Sequence, residues 1–424
     1  MHIAPESGHV VAAESFLRYN VIKFNAIKFS AITHNERSVS HMWAFAILAA
    51  LVLLAVLLCL IYLSFRTARF PFIQTVSGGR KKIAVLFALA IYAVVSSLLY
   101  LRLNPVNAVI CIVHLGGFWL LSELVFLIIR KTTGRFPESS AKSQAKGPGI
   151  WLPGTCAIIF TIIYMTIAWY LCTHVWEKDY TFESERLKGD LRIVQITDSH
   201  VGATFDAQGF HDHILRINEV HPDIVVVTGD FVDDDTTRDD MIGSCEALGD
   251  LKTKYGVFFS YGNHDKGYFN DEAKGWNNQD LCENLEKNGV RILQDESVLI
   301  DGRFYVVGRQ DKSEEMRGGS RMTPAQLMDG LDPGLYKIVM DHQPLEYDEE
   351  AAAGADLVLS GHTHGGQFFP FNQIGVLTRS YERSYGHERR EHTDFIVSSG
   401  IADWSLIFKT GCKSEFVVVD VHGT

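Results

Sequence analysis

The residues with the clearest potential for chemistry lie in a glycine-rich loop, where His362 and His364 stand one residue apart. The four residues before it, 356–359, are predicted to form a short buried strand. Glycine weakens a strand and imidazole needs polar partners, so hydrophobic packing explains this loop poorly. Neighbouring imidazoles on a tight loop are well suited to bind a metal ion. A lone pair of histidines is weak support, so the interpretation requires further ligands elsewhere.

Such candidate ligands follow four other predicted strands, each at the point where the strand ends. In chain order they are Asp198 and His200, Asp230 and Asp233, Asn263 and His264, and finally His342. Loops at strand ends commonly carry functional residues. Each motif alone could be a chance match or an ordinary turn. Five strand ends together would gather carboxylates, imidazoles and an amide at one place if the strands share a sheet.

The elements that must position these residues alternate between short apolar and amphipathic segments from Leu191 onward. This alternation predicts an α/β layered fold, and the close spacing of the later strands adds antiparallel portions, giving mixed sheets. One helix is expected near 210–220. The predicted strands are 191–197, 224–228, 257–260, 304–307, 337–340, 357–359, 395–397 and 415–419.

The order of the motifs is Asp-x-His, Gly-Asp-x-x-Asp, Gly-Asn-His-Asp, His-x-Pro and Gly-His-x-His. It resembles the calcineurin-like metallophosphoesterase superfamily over roughly residues 190–424. The stretches Gly361–Gln367 and Ser398–Trp404 are similar to its membrane-anchored branch, the transmembrane proteins with a metallophosphoesterase domain. The resemblance implies a metallophosphoesterase-type α/β sandwich with two divalent metal ions.

The resemblance also implies which residues hold each ion. Those of the first ion would be Asp198, His200, Asp230 and His364, and those of the second would be Asp230, Asn263, His342 and His362. Two cations about 3.5–4 Å apart can clamp a phosphate and activate a bound water, so a metal-bound hydroxide is the expected nucleophile. Their repulsion calls for a bridging anion, here Asp230. Mixed oxygen and nitrogen ligands favour Mn, Fe or Zn.

The resemblance assigns catalytic roles to His264 and Asp233. The matching histidine in the family contacts the substrate phosphate and is a proposed acid for the leaving oxygen, and the matching carboxylate orients it. A carboxylate-paired imidazole keeps a proton near neutral pH, which suits that role. A purely structural histidine is the alternative.

The first 180 residues have a different character. Four apolar runs, about 42–65, 83–101, 108–129 and 150–175, each match the ~20 residues that cross a bilayer as a helix. They predict a four-helix transmembrane region at 42–176, followed by a linker at 177–190 and the catalytic domain at 191–424. Residues 1–41 form an N-terminal tail, which would be untranslated if Met42 were the start.

Basic residues in the short loops predict the orientation in the membrane. The first and third loops hold five each, whereas the second holds Arg102 alone. Loops one and three are therefore expected in the cytoplasm, which places the catalytic domain on the extracytoplasmic side.

The charge is divided in the same way. Residues before 180 contain 16 Lys and Arg against 7 Asp and Glu, and those from 180 onward contain 23 against 43, for net charges of +9 and −20. Nucleic-acid binders present positive surfaces to phosphates, so a nucleic-acid substrate is not expected.

The predicted function is a membrane-anchored metal-dependent phosphohydrolase, and specifically a phosphodiesterase. Asp234 and Asp235 stand where the protein phosphatases of the superfamily carry an arginine that grips phosphate, which favours the less charged diesters. Tethering suggests lipid or envelope phosphates as substrates. The alternatives are a phosphomonoesterase, or a non-enzymatic membrane sensor or transport subunit whose metal domain is structural. The oligomeric state does not follow from the sequence.

Overall fold

The computed structural model describes residues 35–133, 151–267 and 274–423, and it divides the chain into two compact units. The first unit holds the described residues up to Leu98 together with Ile112–Ile158. The second unit holds Leu99–Cys111 and the described residues from Ile159 onward. Of the predicted tail, 1–41, residues 1–34 lie outside the described residues.

The described chain forms five helices before its first strand: α1 Asn35–Thr67, α2 Pro71–Val76, α3 Lys81–Arg102, α4 Pro105–Thr133 and α5 Leu152–Thr173. Four of them, α1, α3, α4 and α5, are long and apolar enough to cross a membrane. Many of their large apolar side chains are exposed, which suits a lipid environment and not water. These are the four apolar helices expected from the sequence.

One carboxylate lies within the apolar part of α4, and the first unit provides it with partners. Glu123 lies 2.6 Å from a guanidinium nitrogen of Arg66 and accepts a hydrogen bond from the Tyr62 hydroxyl at 3.3 Å. An ionisable group inside a membrane is costly unless paired. The pair accounts for Glu123 as a structural residue between α1 and α4.

The second unit continues with twelve strands and seven helices among the described residues. The strands are β1 Trp176–Ser184, β2 Leu191–Ile196, β3 Ile224–Val227, β4 Val257–Phe259, β5 Val290–Ile292, β6 Glu296–Ile300, β7 Phe304–Gly308, β8 Tyr336–Met340, β9 Leu357–Ser360, β10 Gly386–Arg390, β11 Thr393–Val397 and β12 Glu415–Gly423. The helices are α6 Ala207–Glu219, α7 Arg238–Gly249, α8 Asn278–Lys287, α9 Ser313–Met316, α10 Pro324–Met328, α11 Tyr347–Ala352 and α12 Ile374–Leu377.

The strands form two six-stranded mixed sheets. The first has the order β1-β12-β2-β3-β4-β5, with one antiparallel pair, β12 and β2. The second has the order β10-β11-β9-β8-β7-β6 and is antiparallel at both edges. The parallel strands at the centre of each sheet end at a common edge. The predicted α/β sandwich with mixed sheets is confirmed.

Alternation along the strands builds the layers of the sandwich. On β3, Ile224 and Val226 face the core between the sheets, whereas Val225 and Val227 face the core under α6, α7 and α8. Leu357 and Leu359 on β9 contribute to the same central core from the other sheet. The fold is therefore a sandwich with helices outside both sheets.

Residues 177–190 differ from the predicted linker, because β1 occupies the first part of this range. It pairs in parallel with β12, from Trp176 opposite Glu415 to Ser184 opposite Gly423. Tyr180 and Phe182 pack against the core between the sheets, whereas Asp179, Thr181 and Glu183 on the other face are exposed. Charged residues on the solvent face of an edge strand gave this segment the composition of a linker.

Candidate metal centre

The candidate ligands lie where the central strands end, and several have an uncommon backbone conformation. Asp198 and His200 follow β2, Asp230 follows β3, and His362 and His364 follow β9. All five have positive φ, between 36° and 70°. Non-glycine residues adopt this region uncommonly, and five of them at these strand ends indicate that the surrounding contacts fix the loops.

Neighbouring glycines make this arrangement possible. A Cβ at Gly361 would collide with the side chains of Thr197 and Asp198. A Cβ at Gly229 would meet the backbone of Gly262. The loop after β9 therefore lies against side chains of the loop after β2, and the loops after β3 and β4 meet backbone to backbone, which brings the ligands together.

The first cluster consists of Asp198, His200 and His364. Each offers one ligand atom, and these atoms lie within 4.8 Å of one another. Nε2 of His364 is 3.5 Å from Oδ1 of Asp198, and all three residues are buried. The backbone N–H of His362 donates to both oxygens of Asp198, at 3.0 and 3.1 Å, which fixes that carboxylate.

The second cluster consists of Asp230, His342 and His362, whose ligand atoms also lie within 4.8 Å of one another. Oδ2 of Asp230 is 3.0 Å from Nε2 of His342 and 3.6 Å from Nε2 of His200, which belongs to the first cluster. Asp230 thus contacts both clusters. This is the position that a bridging ligand would occupy.

Three imidazoles have their second nitrogen next to an acceptor. Nδ1 of His342 lies 2.9 Å from the carbonyl oxygen of Thr228, Nδ1 of His200 lies 3.1 Å from Asp233, and Nδ1 of His364 lies 3.2 Å from Asp403. A proton on each Nδ1 leaves Nε2 free to bind a cation. This pattern of acceptor, imidazole and metal is common in metalloproteins.

The loop after β4 carries Asn263, His264 and Asp265. Asn263 is buried, and the backbone N–H of His264 donates to Oδ1 of Asp230 at 2.8 Å. The Asp265 carboxylate accepts from the backbone N–H groups of Gly262, Asp230, Phe231 and Val232 at 2.6–3.1 Å. Asp265 is the last residue of the Gly-Asn-His-Asp motif, and the sequence assigned it no role. Its role, holding the loops after β3 and β4 together, depends on contacts between loops.

Asp233 lies beside His200. Its Oδ2 is 3.1 Å from His200 Nδ1, and its Oδ1 accepts from the backbone N–H of Asp235 at 2.9 Å. The family resemblance had implied that Asp233 orients His264. The ring of His264 lies 5.1 Å from that of His200, whose Nδ1 lies beside Asp233, and the orienting role of Asp233 stays a prediction.

The loop from Ser399 to Gly411 adds residues that sequence reasoning missed. Asp403 is buried, contacts His364, and accepts hydrogen bonds from the Gln367 side chain and from the backbone N–H of Trp404. The ammonium of buried Lys409 donates to the carbonyl groups of Ser399 and Ala402, at 2.7 Å each. The sequence could have indicated Asp403, because it lies in the loop after strand β11, as the other candidates lie in loops after their strands.

The charges in the site are balanced by strongly shifted pKa values. Burial alone would lower the pKa of His200, but the hydrogen bond to Asp233 and the surrounding carboxylates raise it to about 9. Burial and the nearby His200 lower the pKa of His364 well below its usual value, although Asp230 opposes this. Burial also raises the pKa of Asp403 to about 7. Such opposed shifts among touching groups are typical of functional sites.

The residues fit a pair of divalent cations. Nε2 of His200 and Nε2 of His342 are buried, and neither makes a well-directed hydrogen bond within the described chain. Both instead face Asp230, and mixed carboxylate and imidazole sets of this kind suit transition metals. The two clusters therefore have the ligand chemistry of a dinuclear centre.

Comparison with known proteins agrees with this chemistry. Residues 191–366 match the sequence profile described as calcineurin-like phosphoesterase. The chain is 32% identical over 253 residues to an uncharacterized metallophosphoesterase of Aquifex aeolicus, which covers 58% of this chain and 90% of that protein. A second uncharacterized metallophosphoesterase, from Campylobacter jejuni, is 32% identical over 58% of this chain and 63% of its own length.

A third relative is the transmembrane protein with metallophosphoesterase domain of Danio rerio. It is 28% identical over 54% of this chain and 53% of its own length. The chain thus spans between half and two thirds of the Campylobacter and Danio proteins. The residues that match the family profile, 191–366, lie in the second unit's α/β sandwich.

Proposed function

Since the chain belongs to the calcineurin-like phosphoesterase family, we propose that it is a membrane-anchored phosphodiesterase that uses two divalent cations. It carries a metallophosphoesterase domain with two candidate metal-binding clusters, and it has four candidate membrane-spanning helices. The observation that carries the proposal is the contact of Asp230 with both clusters, at 3.0 Å to His342 and 3.6 Å to His200.

The proposed ligands of one cation are Asp198, His200, Asp230 and His364, and those of the other are Asp230, Asn263, His342 and His362. When bound, such a pair polarises phosphate oxygens and acidifies water. Asp233 and the Thr228 carbonyl position the imidazoles of His200 and His342 by accepting from Nδ1, and the Asp403 carboxylate lies 3.2 Å from Nδ1 of His364. This leaves Nε2 of His200, His342 and His364 as the ligand atoms.

His264 is the proposed proton donor to the leaving oxygen. It lies beside the centre, with its ring 5.1 Å from His200 and 5.3 Å from the ring of Trp404. Burial lowers the pKa of His264 despite the negative charge of Asp230. A phosphate anion next to the ring would raise that pKa again, because the opposite charge favours the protonated form.

A diester is favoured over a monoester by the charges around the site. Asp234 and Asp235 directly follow Asp233, which contacts His200, so they add carboxylates beside the site. Two basic residues at strand ends near the site are paired with carboxylates: Lys266 lies 2.8 Å from Glu314, and Arg309 is buried 3.0 Å from Asp341. A singly charged diester needs less compensation than a phosphate dianion.

We place the domain on the extracytoplasmic side because basic residues concentrate in the first and third loops. Phosphodiesters of lipids and of the cell envelope are available on that side. The high negative charge of the domain makes nucleic acid a poor substrate.

Two nitrophenyl substrates test the proposal. The full chain in detergent with added Mn²⁺ is expected to hydrolyse bis-p-nitrophenyl phosphate faster than p-nitrophenyl phosphate. His264→Ala is expected to slow diester hydrolysis by about 10²–10⁴-fold, the usual contribution of a positioned acid. His422→Ala, at an exposed histidine, is the control.

The alternatives predict other results. A phosphomonoesterase would prefer p-nitrophenyl phosphate. A sensor or transport subunit with a structural metal domain would hydrolyse neither ester, and His264→Ala would change nothing.

A further inference from the structure

An apolar segment directly follows the His362–Gln367 loop. Residues 365–378 contain no charged side chain, although the chain from residue 180 onward carries a net charge of −20. Within this stretch, Phe369, Phe371, Ile374 and Leu377 are 68%, 63%, 49% and 80% exposed. We refer to Phe368–Leu377 as the apolar segment.

This exposure is concentrated in one place. Among the described residues after α5, nine large apolar side chains are exposed, and five of them are the four named above and Trp404. The other four are Leu215, Leu299, Met316 and Met322. Contiguous exposed apolar surface of this kind usually marks a contact with a membrane or a partner.

The second unit itself joins the apolar segment to the ends of membrane-type helices. Phe368 belongs to a cluster with Phe408, Met165 and Ala168, and with Leu103 in the turn between α3 and α4. The backbone N–H of Phe369 donates to the hydroxyl of Thr410 at 3.2 Å, and the Tyr164 hydroxyl on α5 also donates to that hydroxyl, at 2.9 Å.

The loop beside the segment is attached to the same helix ends by polar contacts. The side chains of Asn104 and Asn107, at the start of α4, donate to the Ser405 carbonyl at 2.9 and 3.0 Å. The backbone N–H of Lys409 donates to the carbonyl of Ala168 on α5 at 3.0 Å. Because α3 ends at Arg102 and α4 begins at Pro105, these contacts lie where membrane-crossing helices meet water.

The same loop reaches the metal centre. Asp403 contacts His364 and accepts from Gln367, the last residue before the apolar segment. Trp404, 47% exposed, lies against His264. The exposed apolar side chains, the helix ends and the candidate active site therefore belong to one continuous part of the second unit.

We propose that the apolar segment inserts into the headgroup region of the membrane beside the helix ends, and that the centre acts on phosphodiesters carried by lipids at that surface. Aromatic and aliphatic side chains next to spanning helices typically occupy this interface. The second half of the proposal rests on the phosphodiesterase function proposed above, whereas the insertion does not.

Photocrosslinking tests the insertion independently of activity. The full chain carries p-benzoylphenylalanine at Phe371 or Leu377, or at Leu215 as the control, in nanodiscs of phosphatidylcholine and phosphatidylglycerol. We expect a mass increase of one phospholipid from the first two positions and none from the control. Crosslinks to a second copy or to a copurified protein, or no crosslink, would overturn the insertion.

Two diesters with the same reacting bond test the lipid specificity. Methyl p-nitrophenyl phosphate is water-soluble, and hexadecyl p-nitrophenyl phosphate resides in the nanodisc. For Phe371→Ser/Leu377→Ser, we expect the ratio of hexadecyl to methyl hydrolysis to fall about tenfold, because the segment no longer holds the site at the lipid surface. Leu215→Ser/Leu299→Ser, at exposed positions away from the segment, should keep the wild-type ratio.

The outcomes separate the two proposals. An unchanged ratio in the Phe371→Ser/Leu377→Ser variant would contradict lipid specificity through the segment. If the wild type cleaved neither diester, the proposed phosphodiesterase function would fail and the lipid-substrate half of the proposal would fail with it. The crosslinking result would still decide whether the segment inserts.

Discussion

At the scale of single residues, the orientation of the candidate ligands depends on neighbouring residues that contact them. Asp403 accepts from Gln367 and lies 3.2 Å from His364 Nδ1, while Lys409 fixes the loop that carries it. The ligand atom of His364 is thereby turned toward Asp198. Such supporting contacts determine the orientation of a ligand and the strength of metal binding.

Asp403→Asn is predicted to weaken the binding of one cation about 10–100-fold, because the neutral amide no longer stabilises the proton on His364 Nδ1. Competition with a fluorescent chelator measures the affinity. Asp190→Asn, at a carboxylate 76% exposed, is the control. Equal affinities in all three proteins would show that Asp403 does not support a metal ligand.

At the scale of elements, a charge network that is buried except at the half-buried Glu346 connects the ends of β7 and β8 with the start of α11. Arg309 lies 3.0 Å from Asp341, which precedes His342, and 2.5 Å from Glu346. Arg321 lies 3.2 Å from each of the same two carboxylates. Removing one member of such a network leaves the others with unbalanced charge. The network therefore supports the strand end that carries His342.

The network predicts a pH-dependent stability. Burial alone would raise the pKa of Glu346, but Arg309 and Arg321 lower it from 4.5 to about 2. Its contribution is thus fully present above about pH 5 and is lost as the pH falls toward 2.

Glu346→Gln is expected to cost about 1–3 kcal/mol at pH 6 and almost nothing near pH 2. Thermal unfolding of the full chain in detergent over this pH range measures the difference from wild type. Glu349→Gln, at an exposed position, should change little at any pH. A cost that stays constant between pH 6 and pH 2 would contradict the assignment.

The central strands of both sheets could be predicted from the sequence. The central strands are runs of Val, Ile and Phe buried on both faces, so their existence and the polar residues at their ends were visible. The four edge strands β1, β5, β6 and β10 were not, because their exposed positions carry charged residues such as Glu177, Glu296 and Arg389. Asp265 and Lys409 act through backbone groups of other loops, and contacts of that kind depend on chain paths that no local pattern encodes.

At the scale of the whole molecule, charge and hydropathy divide the chain into a basic apolar front and an acidic α/β domain. The positive residues concentrate in the first and third loops between the apolar runs. This asymmetry predicts an extracytoplasmic catalytic domain.

Reporter fusions to the C-terminus test that orientation. Alkaline phosphatase, which folds only outside the cytoplasm, is expected to be active there, and a green fluorescent protein exported in unfolded form is expected to be dark. Removing three basic residues of the first loop, by Arg80→Ser, Lys81→Ser and Lys82→Ser, should lower the fraction of chains whose C-terminus is outside the cytoplasm. A fluorescent C-terminal fusion in the otherwise unchanged chain would contradict the assigned topology.

The central claim is that the two clusters, joined by Asp230, hold two cations. The most direct measurement is the metal content of the purified full chain after loading with Mn²⁺ and removal of the excess, by mass spectrometry of the metal. We expect two ions per chain in the wild type and in Asp190→Asn, and at most one in Asp230→Asn. One ion in the wild type, or two retained in Asp230→Asn, would contradict it.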